Sequence, residues 1–62
     1  MKIVVKWKYP DETKIRENIY TDIDPASIYV SSQFVGFSQS REESGWQFPL
    51  SHIIHLNVRE EL

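Results

Sequence analysis

Gly45-Trp46-Gln47-Phe48-Pro49-Leu50-Ser51-His52-Ile53-Ile54-His55-Leu56-Asn57-Val58 reads as strand, one tight turn and strand. Pro49 has no amide donor and so ends a strand. Ile53 to Val58 then resumes a β-branched run that must pair with something distant in the chain. Strand, single turn, strand is the pattern that closes small β-barrels, and the stretch therefore points to an all-β fold.

Upstream of Gly45, Ser38 to Ser44 is polar and reads as a solvent-exposed hairpin loop. Ile28 to Phe37 precedes it, with apolar residues on both alternating faces, as in a central strand. Gly36 inside that run suggests a bulge or sharp bend. At the other end, Ile3, Val5, Trp7 and Tyr9 alternate with Lys2, Val4, Lys6 and Lys8, the clearest strand pattern in the chain. Pro10-Asp11-Glu12-Thr13 is turn chemistry, so a hairpin return is expected.

The returning segment, Lys14 to Ile23, places Ile15, Ile19 and Ile23 on what reads as the inner face, with Lys14, Arg16, Asn18 and Tyr20 on the other. Helix competes here because Ile15 and Ile19 are four apart. The β-branched content, the short length and the lack of a cap favour strand. Asp22 to Ser27 is a loop in which Asp24 can cap one helical turn that starts at Pro25. The expected architecture is thus all-β: a small five-stranded barrel, or a strongly bent antiparallel sheet, with one short 3₁₀ turn.

The chain has 62 residues, 40% hydrophobic and 13% aromatic, which suits one compact domain and no second. A domain of this size buries only about 60% of its unfolded surface, which leaves room for self-association as a support. There are no cysteines, and so no disulfide, thiolate zinc site or thiol nucleophile. Ile3-Val4-Val5 is interrupted at Lys6, too short for a secretory core, and no apolar run nears the roughly 18 residues of a membrane span. A cytoplasmic location and no membrane partner are the expectations.

From Gly45 to Val58 the chain resembles the end of a Src-homology-3-like barrel, in which a glycine-led strand runs into a proline, a single 3₁₀ turn and a last strand. Gly45, Phe48, Pro49 and Ile53 carry the resemblance, and His52 stands where the peptide-binding members have a tyrosine. It covers about a quarter of the chain. The acidic, tyrosine-rich first segment and the tryptophan pair of those members are missing. The resemblance therefore implies the barrel class and not a proline-rich ligand.

Candidate chemistry is sparse. His52 and His55 are possible ligands for zinc, nickel or copper, but no acidic or thiolate partner accompanies them, and structural zinc needs about four ligands. Seven serines stand outside any nucleophile-elbow spacing, two glycines cannot build a phosphate-cradling loop, and the acidic pairs Asp11-Glu12 and Glu42-Glu43 fall in turns. No enzyme activity, cofactor, metal or small-molecule substrate is expected.

Two binding readings remain. Eight large rings are more than so small a barrel encloses, so some should reach the surface, where tyrosine and tryptophan anchor interfaces. Trp7, Tyr9, Tyr20, Trp46 and His52 are the candidate partner-binding residues, for another protein or a second copy. The competing explanation is ordinary half-buried core rim. The alternative is a single-stranded nucleic-acid binder in which Lys6, Lys8, Lys14, Arg16 and Tyr20 present cations around an aromatic. Against it stand a net charge of -2 and the use of lysines to blunt exposed strands. The expected function is a non-catalytic protein-interaction module, of the kind that serves as a bacterial or phage-encoded accessory or inhibitor.

Overall fold

In a computed structural model, residues 1–40 and 45–60 are described. Six strands form two antiparallel sheets: β1 (Lys2–Trp7), β2 (Arg16–Tyr20) and β6 (Ile53–Arg59) in the order β2-β1-β6, and β3 (Tyr29–Val30), β4 (Phe34–Ser38) and β5 (Gly45–Pro49) in the order β3-β4-β5. Single 3₁₀ turns, Pro25–Ser27 and Leu50–His52, link the sheets on either side of the second one. The all-β class is as expected, but among the described residues the strands number six and neither sheet closes into a barrel.

The extra breaks have local causes. Asp22 takes φ +57°, a left-handed conformation that aspartate tolerates better than most residues. The chain turns there, so that Ile23 N–H donates to Met1 O at 2.8 Å on the first sheet while Ile23 bridges Gln39 on the second. Ile23 is fully buried at this joint. The expected strand from Ile28 to Phe37 is likewise split, because the Ser31 hydroxyl accepts from Gln33 N at 3.1 Å and Phe34 N at 3.0 Å and folds a tight turn. Gly36 makes no bulge: its register is continuous with Tyr29 on one side and Gln47 on the other. The bulge lies instead on β6, where Lys6 opposes His55 and Trp7 opposes Ile53.

Both sheets contribute to one core of Ile3, Val5, Ile23, Val35, Phe37 and Phe48. The inner face of β1 is as expected from its alternation. That of β2 is the reverse of the expectation: Ile15 and Ile19 are 59% and 55% exposed, and Arg16, Asn18 and Tyr20 stand opposite Trp7, Val5 and Ile3. The hairpin connection between Trp7 and Arg16, with a tight turn centred on Pro10-Asp11, sets that register, and directly opposed residues share a face. Glu12 N donates to Tyr9 O at 3.1 Å within this turn. Part of the expected loop, residues 41–44, and the last two residues of the chain lie outside the described residues.

Candidate functional site

The β1–β2 hairpin, the end of β5 and the second 3₁₀ turn bring aromatic side chains into one row. His52 stands edge-on to Tyr9 with ring centroids 5.6 Å apart, and Tyr9 edge-on to Trp7 at 5.2 Å. Trp7 meets Phe48 at 5.8 Å, Phe48 meets Tyr20 at 6.2 Å, and Tyr20 meets Trp46 at 4.6 Å. All five residues singled out from sequence as partner-binding therefore belong to one continuous row, joined through Phe48. Phe48 and Phe37 are the buried rings beneath it, Trp7, Tyr20, Trp46 and His52 are half-buried, and Tyr9 is 42% exposed.

Charged groups brace one end of the row. The Arg16 guanidinium lies 4.9 Å from the Tyr9 ring centre and 5.3 Å from that of Trp7, the geometry of a cation–π contact. Its Nη1 also pairs with Glu12 Oε2 at 2.9 Å, and Lys8 Nζ donates to Glu12 O at 3.1 Å. The Trp7 indole Nε1 beside them is buried and finds no acceptor among the described residues. An unpaired buried donor of this kind costs roughly 1–3 kcal/mol, and a native structure retains few of them. At the far end, Trp46 borders a hollow of about 310 Å³ shared with Ser27, Tyr29, Phe37, Ser38, Gly45 and Gln47. Gln47 Nε2 donates to the Tyr29 hydroxyl at 2.6 Å along its rim.

The nucleic-acid set does not converge in the same way. Lys6 lies on the outer face of the first sheet, 3.9 Å from Glu17, whereas Arg16 and Tyr20 point to the inner face. Lys8 is held at the Glu12 carbonyl, Lys14 is exposed in the connection before β2, and the Tyr20 hydroxyl accepts from Asn18 Nδ2 at 2.9 Å. The basic groups that do share a surface are Lys2, Lys6, His55 and Arg59, around Val4 and Ile19 on the outer face. His52 and His55 lie on different surfaces, the first against Tyr9 and the second opposite Lys6. Among the described residues no three His, Cys, Asp or Glu side chains gather as a metal site would require.

Arg16, named from sequence with the nucleic-acid set, stands against Trp7 and Tyr9, while Glu12 and Phe48, named in neither set, brace and join the row. The hairpin register is what places Arg16 there, opposite Trp7. No helix among the described residues is long and apolar enough to cross a membrane. The chain matches no family model, no curated protein and no solved structure.

Proposed function

We propose that this chain is a non-catalytic protein-interaction module, an open relative of the Src-homology-3-like barrels, that seats apolar side chains of a partner protein along its aromatic row. The observation that carries this reading is the line from His52 through Tyr9 and Trp7, across the buried Phe48, to Tyr20 and Trp46, with the five rings other than Phe48 left partly in water. Half-exposed tyrosine and tryptophan offer large contact areas at small entropic cost. Arg16, whose side chain stays partly exposed beside Trp7 and Tyr9, adds a cation at one end, which suits a ligand with a carbonyl or carboxylate beside its apolar anchor. The resemblance at residues 45–58 is consistent with the passage of β5 through Pro49 and one 3₁₀ turn into β6.

Peptide display against the immobilised chain tests the reading. Peptides enriched on the wild type should carry apolar or aromatic anchors and should lose at least about ten-fold in affinity, about 1.4 kcal/mol, for Trp46→Ala and for Tyr9→Ser. Circular dichroism of both variants must remain that of the folded protein. Equal binding by the wild type and both folded variants would remove the aromatic row from the function.

A further inference from the structure

Four strand edges carry no partner strand among the described residues: the outer edges of β2, β6, β3 and β5. An unpaired edge is a template for another strand, and natural proteins blunt it with charge, proline or brevity. Three of the four are blunted in this way. β3 has two residues, β5 ends on Pro49, and β2 opens with Arg16 and Glu17. β6 differs, being the longest strand at seven residues, with no proline, glycine, lysine or acid and with Arg59 alone permanently charged. Ile54 and Val58, at 48% and 41% exposed, leave much of its apolar surface in water.

We propose that β6 pairs antiparallel with the β6 of a second copy of this chain, joining two three-stranded sheets into one of six strands. The sequence of β6 is self-complementary in one register. Directly opposed residues of an antiparallel pair point to the same side, so a two-fold axis that keeps both apolar faces together sets one residue against its own copy. Leu56 is the middle residue of β6, and setting it against the second Leu56 pairs the stretch from Ile54 to Val58. Ile54 then meets Val58 and His55 meets Asn57, while Ile53, which the bulge sets opposite Trp7, lies beyond the paired stretch. Exposed apolar groups cover one another, polar groups share the opposite face, and the two arginines lie at opposite ends. The β6 bulge faces β1 and leaves Ile54 turned to solvent, where the second copy would cover it.

Sedimentation equilibrium of the full chain over a wide concentration series tests the pairing, on the wild type and on Ile54→Lys, Val58→Lys and Tyr9→Ser. The wild type should move toward twice the chain mass as concentration rises. Each lysine variant should weaken the dimer at least about ten-fold, and Tyr9→Ser should leave it unchanged. A wild type that stays monomeric overturns the proposal, as do lysine variants that dimerise as well as the wild type. Hydrogen exchange on the wild type needs no variant: amides of β6 should lose protection on dilution, and protection independent of concentration contradicts the pairing.

Discussion

Individual residues in this chain are constrained mostly by backbone geometry. Gly45 and Gly36 both lack room for a side chain, yet the obstacles differ. A Cβ on Gly45 would stand 2.5 Å from the Phe37 carbonyl oxygen, which is fixed in the sheet, whereas one on Gly36 would meet the Tyr29 ring edge at 2.5 Å. That ring is 48% exposed and can swing away at the expense of its bond to Gln47. Gly36→Ala should therefore cost less than about 1 kcal/mol, since a lost hydrogen bond worth about 1 kcal/mol is partly offset by reduced unfolded-state entropy. Gly45→Ala should cost about 2 kcal/mol because the backbone itself must shift. Urea midpoints of the two variants decide the order, and equal losses would mean that the sheet yields as easily as the ring. At Asp22, with φ +57°, a valine should cost about 1–2 kcal/mol and an asparagine much less, measured the same way.

Between elements, hydrogen bonds between residues 21–27 and the end of β4 and the residues after it help join the two sheets. Ser27 makes the clearest of them: its Oγ accepts from Ser38 N at 2.9 Å and lies 2.6 Å from the Asp24 carbonyl, to which it donates. It thereby ties the first 3₁₀ turn to the end of β4, which Asp24 N also reaches through Ser38 O at 3.0 Å. Ser27→Ala would strand the Ser38 amide and should lower stability by about 1–2 kcal/mol, read from thermal unfolding; no change would show that solvent replaces the hydroxyl at no cost. The same elements mark what the sequence made legible. Proline, the capping Asp24 and strict alternation fixed the ends of β5, the first 3₁₀ turn and the inner face of β1, because each acts within a few residues. The face of β2 depended on a register set across the hairpin, and hydrophobic periodicity placed Ile23 inside correctly but Ile15 and Ile19 wrongly. The split of the long third strand turned on one serine hydroxyl, which has no distinctive pattern in sequence.

For the whole molecule, the candidate site was legible as a composition and illegible as a place. An excess of rings over core volume predicted that some would remain exposed, and Tyr9 and Tyr29 do. That the five chosen residues form one row depends on the two sheets meeting around Phe48, which no local signal announces. The basic residues of the first hairpin, by contrast, divide between the two faces of a strand pair, as alternation requires. The aromatic row and the basic cluster of Lys2, Lys6, His55 and Arg59 are therefore physically separate, the row on one side and the cluster on the other. One measurement distinguishes them: nitrogen–proton correlation spectra of the labelled chain, titrated with a display-selected peptide and, separately, with mixed-sequence single-stranded oligonucleotides at low salt. The peptide should shift both tryptophan indole signals together with the amides of Tyr9, Arg16 and Tyr20, while oligonucleotides leave them in place. Indoles unmoved by the peptide, with salt-sensitive shifts at Lys2, Lys6 and Arg59 on adding oligonucleotide, would contradict the protein-interaction reading.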